Sequence, residues 1–266
     1  MSLRLVAQDI SVGYNDTTIV HDVSLKIPDQ KVTTIIGANG CGKSTLLRGL
    51  ARMLPLQSGT VTLDDQDIKS YKHRDLAKQL SMLPQSPITP PGVTVAELVG
   101  RGRHPHQSWL HQWSSSHSEI VDEAMELTNV AELRDRPVTD LSGGQRQRVW
   151  ISMVLAQDTD IVFLDEPTTY LDLAHSVEVL DLVRRLNKQQ NKTIVMVLHD
   201  LNLASRYSDH LVLMKQGHLI AQGQPNDVIS AESLYDVFGL RARVIPDPCA
   251  AGPLIVPEAS EALHAE

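Results

Sequence analysis

Along the chain, apolar and polar positions first alternate with a period of two. Residues 3–14, LRLVAQDISVGY, and 20–27, VHDVSLKI, read as strands with one buried face, and Asn15 and Asp16 between them favour a turn, so the chain opens on an antiparallel edge. At 31–36, KVTTII, the polar face disappears, which predicts a strand buried on both sides. Residues 44–51 then carry Leu46, Leu47 and Leu50 at helical spacing, 59–63 return to a strand, and 64–67 turn it. The first block is therefore mixed β followed by α/β.

A short strand at 81–83 runs into Pro84, Pro87, Pro90 and Pro91, a density that excludes regular ladders and marks a boundary. Beyond it Thr94 and Glu97 have the spacing of a capping box, for a helix to about residue 99, and Ile120, Val121, Ala124, Met125 and Leu127 follow a helical stripe within 118–127. Residues 92–149 read as a helical insert. The apolar runs 161–164 and 193–198 alternate with helical patterns at 173–186 and 201–207, which predicts a parallel sheet covered by helices. Residues 210–215 and 218–222 flank Gln216 and Gly217 as a hairpin. After Gly239, prolines at 246, 248, 253 and 257 and an acidic finish leave room for a strand or two and a frayed end. No internal repeat is visible.

Composition narrows the function classes. The 266 residues carry a formal charge of −8 and no basic block, against a nucleic-acid binder, whose surface is ordinarily basic. The longest apolar runs are strand-sized, far below the ~20 residues of a membrane helix. MSLRLVAQDI lacks the pattern of a secretion signal, so a cytoplasmic chain is expected. Cys41 and Cys249 do not form a disulfide framework and fit a reduced compartment.

The chemistry concentrates at three places. Residues 37–44, GANGCGKS, lie between the buried strand and the helix, with Gly37, Ala38, Asn39, Gly40 and Cys41 leading to Gly42, Lys43 and Ser44, and Thr45 following. Glycines let backbone N–H groups turn in around an anion, Lys43 adds a positive charge for outer phosphates, Ser44 a hydroxyl for Mg²⁺, and the helix its positive end. This is a phosphate-binding loop, and a nucleotide follows from it. Residues 161–166, IVFLDE, end a buried strand in two acids at the sheet edge where α/β proteins bind ligands. Asp165 suits Mg²⁺, directly or through water, and Glu166 suits a water near the terminal phosphate. Residues 141–145, LSGGQ, precede a helix, and Ser142, Gly143, Gly144 and Gln145 read either as a capping box or as a second anion site.

A phosphate loop, LSGGQ and an apolar strand ending in Asp-Glu, in that order, resemble the ATP-binding subunits of ABC transporters. The resemblance covers residues 1 to about 240. It implies an α/β fold: a P-loop NTPase core with a parallel sheet, an N-terminal antiparallel β subdomain and a helical insert. Residues 1–91 and 150–240 would form the RecA-like ATP-binding core, 92–149 the helical subdomain with the LSGGQ signature, and 241–266 a short C-terminal tail. It also implies roles for single residues. Tyr14 stands where an aromatic stacks on adenine, and is otherwise a strand-end aromatic. Gln85 matches the glutamine that touches Mg²⁺ and the attacking water and links the core to the insert. Asp172, in TTYLD, matches the aspartate that reaches a partner subunit; it also suits the N-cap of the helix starting at Leu173, and both uses can hold at once. His199 matches the switch histidine at the terminal phosphate, with Glu166 as the base.

By the same resemblance two copies face head to tail, each ATP lying between the loop of one and LSGGQ of the other. The expected partners are a second copy, a polytopic membrane permease and, through it, a periplasmic or lipoprotein substrate-binding protein, with no nucleic acid. The expected place is the cytoplasmic face of the inner membrane. The wording of 83–107, 141–182 and 195–217 is similar to the ATPase subunits of ferric siderophore importers, of enterobactin and citrate types. Importers of haem or vitamin B12 share the architecture, and soluble relatives in iron-sulfur assembly or DNA repair are rivals of another class. Two smaller features complete the reading. His104, His106, His111 and His117 with Trp109 and Trp113 lack a familiar metal-ligand spacing and suggest instead a docking surface for a membrane partner. Cys41, at a helix N-terminus, is expected to have a lowered thiol pKa, so that its alkylation blocks ATP binding.

Overall fold

The structure, a computed structural model, describes residues 3–107 and 115–259. Packing divides the chain into two compact units, one built from residues up to 68 with those from 195 onward, the other from 69–194.

In the first unit the strands Leu3–Tyr14 and Thr17–Pro28 pair antiparallel, and Leu56–Leu63 and Gln66–Asp67 extend the sheet beside Leu3–Tyr14. Leu5 and Ala7 are buried, then Ile10 and Val12: the period of two slips by one residue at a bulge where Asp9 has φ 48°. Gly59 lies opposite, and a Cβ there would stand 2.3 Å from Asp9 O, so this bend in the sheet needs a glycine. The strand Val32–Gly37 is buried along its whole length and pairs parallel with His210–Lys215, which turns back antiparallel as His218–Gly223 through Gln216 and Gly217 at φ 47° and 81°. Helix Lys43–Leu50 follows the first of these and buries Leu46, Leu47 and Leu50 completely, roughly 1.5–3 kcal/mol each. Helices Leu201–Tyr207, Pro225–Val228 and Ala231–Phe238 and the hairpin Ala242–Pro246 with Pro253–Pro257 complete the unit.

The second unit pairs Leu80–Leu83 parallel with the buried strand Ile161–Asp165. Helix Gly143–Ala156 packs against Val95–Gly100 and Ser115–Leu127, and Leu173–Gln190 follows the acidic strand end. Thr94 and Glu97 form the predicted capping box. A 3₁₀ segment, Arg101–His106, lies where the sequence pattern predicts no element, and a Cβ on Gly102 would meet Met153 O at 2.2 Å. Arg103 donates to Ala156 O at 2.8 Å, and His106 Nε2 bonds Gln157 O at 2.8 Å, together satisfying carbonyls at the end of helix Gly143–Ala156. The strand Thr193–Val197 is buried throughout.

Candidate functional site

The phosphate loop belongs to the first unit. The strand ends at Gly37, and the helix begins at Lys43 behind the N-cap Gly42 at φ 102°, which has no side chain to cap the first-turn amides. Those amides have no partner inside a helix, so an anion is their natural acceptor. Gly40, at φ 74°, has open space where a Cβ would stand. Lys43 is only 5% exposed, and its Nζ lies inside the curve of the loop, donating to Gly37 O at 2.9 Å and Ala38 O at 3.1 Å. The ammonium thus already stands at the loop, where it can meet phosphate oxygens bound there. The loop is held from outside: Gly217 N–H donates to Cys41 O and Gly217 O accepts from His21 N–H, both at 2.9 Å.

Tyr14 ends its strand 43% exposed, with its hydroxyl accepting from Arg48 of helix Lys43–Leu50 at 3.2 Å. Its ring is thereby tied to the helix that the loop opens. Leu198 N–H donates to Ile35 O, and the exposed His199 follows at once, so the histidine stands at the strand edge where the loop begins.

The acids belong to the second unit. Asp165 ends the buried strand at 1% exposure, and Glu166, at 8%, has φ 55°. A left-handed glutamate costs about 1–3 kcal/mol and persists where the surroundings hold it. Here they do: Gln85 Nε2 donates to Glu166 Oε2 at 2.6 Å and Thr169 Oγ1 to the same oxygen at 2.9 Å. The structure thus brings Gln85 onto Glu166. Thr169 carries no signal in a single sequence beyond its position three residues on, a spacing that suits a hydroxyl bonding back across a turn.

Residues 142–145 form a capping box in fact, Ser142 Oγ accepting from Gln145 N–H at 3.3 Å and Gln145 Oε1 from Ser142 N–H at 3.1 Å. Ser142 and Gly143 nevertheless stay exposed, while Gly144 is buried against His175, whose ring a Cβ would meet at 2.8 Å. Asp172 is the N-cap of Leu173–Gln190; its Oδ1 accepts from His175 N–H at 2.8 Å and bonds His175 Nδ1 at 2.7 Å, which holds the carboxyl below the usual carboxylate range. His175, like Thr169, is a contact no spacing rule announced.

One expectation is overturned. Cys41 is 5% exposed and its thiol pKa is raised, not lowered, because burial outweighs the Lys43 charge and the N–H groups around it. The thiol lies beneath the loop, where a Cβ on Gly37 would come within 2.7 Å of Sγ. Of the histidine-tryptophan stretch, His106 is the structural bond already described, His104 is exposed and His117 lies in helix Ser115–Leu127. Trp109, His111 and Trp113 lie outside the described residues.

The model of the ABC transporter family matches residues 20–169, spanning the loop, LSGGQ and the Asp-Glu strand end. The chain belongs to the ABC transporter family. As an ABC ATPase it binds and hydrolyses ATP and works with membrane permease components. It is 49% identical over 253 residues to the achromobactin transport ATP-binding protein CbrD of Dickeya dadantii (strain 3937), covering 95% of this chain and 94% of that protein. To the ferric enterobactin transport ATP-binding protein FepC of Escherichia coli (strain K12) it is 45% identical over 254 residues, 96% and 94% of the two chains. Its fold is similar to that of an ABC transporter of metal-chelate type in an inward-facing conformation, with TM-score 0.84, 25% identity, and 98% and 100% coverage. Among the described residues no helix of this ABC ATPase is long and apolar enough to cross a membrane.

Proposed function

We propose that the chain is the ATP-hydrolysing subunit of an importer that takes up a ferric siderophore, bound at the cytoplasmic face of the inner membrane to a polytopic permease that receives cargo from a binding protein. The observation that carries this reading is nearly full-length identity of 45% and 49% to the two siderophore transport subunits. Haem, vitamin B12 and the soluble ABC ATPases gain no comparable support.

In this reading Tyr14 stacks on adenine, and residues 37–45 hold the phosphates through Gly37, Ala38, Asn39, Gly40, Cys41, Gly42, Lys43, Ser44 and Thr45. A bound Mg²⁺, held by Ser44, Gln85 and Asp165, would neutralise charge between the outer phosphates. Glu166 orients the attacking water and accepts its proton. Its carboxylate needs little reorganisation to do so, since Gln85 and Thr169 already fix one oxygen. His199 contacts the terminal phosphate. Ser142, Gly143, Gly144, Gln145 and Asp172 complete the site of a second copy, and the exposure of Ser142 and Gly143 supports this. The core at 1–91 and 150–240 carries the loop and acids, the subdomain at 92–149 passes closure to the permease, and 241–266 is a short C-terminal tail.

Complementation tests the cargo. A strain lacking the ATPase subunit of a ferric enterobactin importer should regain uptake of the labelled ferric siderophore when this chain is expressed, and the chain should sediment with the permease. Restored vitamin B12 uptake alone, or a chain wholly in the soluble fraction, would contradict the proposal.

A further inference from the structure

Helix Leu201–Tyr207 begins two residues after His199, with Asp200 between them as its N-cap accepting from Leu203 N–H at 2.8 Å. One side of this seven-residue helix buries Leu203, Ala204 and Tyr207. Another side is taken by the C-terminal hairpin, with a set of polar bonds. The Asn202 amide imitates a strand: Nδ2 donates to Ile255 O at 3.1 Å and Oδ1 accepts from Ile255 N–H at 2.8 Å. Ser205, 3% exposed, donates from Oγ to Pro253 O at 2.7 Å, and Gly252 lies so close that a Cβ would stand 2.8 Å from that oxygen. Arg206 grips both oxygens of Asp247 at 2.8 to 3.1 Å, and Cys249 N–H donates to the same carboxylate at 2.8 Å.

A helix this short has little stability of its own, so its axis is set by what it packs against. His199 therefore sits in a link clamped at both ends. Leu198 N–H is bonded to Ile35 O on the strand side, and the hairpin fixes the helix on the other.

We propose that the hairpin Ala242–Pro246 with Pro253–Pro257 is a positioning element for hydrolysis, which through Asn202, Ser205 and Arg206 aims the switch histidine at the terminal phosphate. This rests on the catalytic reading of His199. Asn202, Ser205 and Arg206 touch no reacting atom and act only through the helix. Misplacing a catalytic group by ~1 Å costs up to about a hundredfold. Asn202→Ala should therefore lower kcat by about tenfold or more.

A double-mutant cycle on the full chain decides it, with Ser205→Ala as a second, smaller perturbation and single-turnover hydrolysis as the readout. ATP is bound by the loop, so affinity for ATP should change by less than about twofold in Asn202→Ala. In a His199→Ala background, adding Asn202→Ala should change the remaining rate by less than about twofold, since sites that act as one unit are non-additive. Unchanged kcat in both Asn202→Ala and Ser205→Ala, a full additional loss on top of His199→Ala, or ATP affinity falling in step with rate would overturn the proposal. Should His199→Ala alone keep the wild-type rate, it is the catalytic reading of His199 that fails, and the positioning role with it.

Discussion

Substituting Gly143 by alanine separates folding from function more cleanly than any other change in LSGGQ. Gly143 is the first residue of helix Gly143–Ala156, its φ lies outside the left-handed region, and a Cβ there would meet nothing nearer than Leu171 Cδ2 at 3.9 Å. The methyl group fits its own chain. Alanine is up to about 1 kcal/mol better than glycine within a helix, so the variant should be as stable as the parent or slightly more so, by at most ~2–4 °C in Tm. The alanine keeps the amide of residue 143 but sets a methyl beside this exposed stretch, which in a shared site faces a phosphate of the other copy. A preorganised donor facing developing charge is worth about 10²–10³ in kcat, and with the phosphate held away from it by the methyl a turnover loss of at least ~10²-fold is expected here. Calorimetry, ATP binding by the monomer and steady-state hydrolysis are the assays. The reasoning predicts retained Tm, retained binding and lost turnover. Wild-type turnover, or binding by the monomer lost together with turnover, would refute it. Gly144→Ala is the contrast: its Cβ would stand 2.8 Å from the His175 ring, so that variant should lose stability as well.

Glu166→Gln should keep ATP binding and lose ~10²–10⁴ in kcat, the usual span for a general base, whereas Lys43→Ala should lose binding itself; equilibrium binding beside turnover separates the two. Gly217→Ala should cost about 2–5 kcal/mol in urea unfolding, from a left-handed φ worth ~1–2 and overpacking worth ~1–3, since its Cβ would stand 2.1 Å from Ile19 O; a loss within error would remove this turn as a support of the loop. At neutral pH alkylation followed by mass spectrometry should find Cys249 modified and Cys41 protected, one exposed and the other buried. Equal labelling rates would contradict this. Because the folded Cys41 pKa is raised, its contribution to stability is present below the ordinary thiol value of about 8.5 and is lost as pH rises through the folded value.

What was legible in advance was whatever the local pattern determines. The strands Val32–Gly37, Ile161–Asp165 and Thr193–Val197 are buried throughout, and an apolar run has few other uses. The turn at Gln216 and Gly217 and the box at Thr94 and Glu97 follow from backbone chemistry that a few residues settle. Arg101–His106 was not legible, because its coil is held by bonds from Arg103 and His106 to the end of a helix some fifty residues on. The expectation for Cys41 fails for a related reason. A helix N-terminus lowers a thiol pKa only where the thiol meets water, and here it is buried beneath the loop. At the acids, the type of chemistry was readable from Asp165 and Glu166 alone. The means of holding Glu166 was not, since Thr169 bonds across a turn whose left-handed φ no propensity predicts for glutamate.

The central claim is that each ATP is held by two copies, one through residues 37–45 and the other through 142–145. Sedimentation of the Glu166→Gln chain, which should bind ATP without consuming it, tests this most directly when compared with the same chain carrying Gly143→Ala. The account predicts an ATP-dependent dimer for the first and an ATP-bound monomer for the second. A dimer that forms equally well without ATP, or one indifferent to Gly143→Ala, would contradict it.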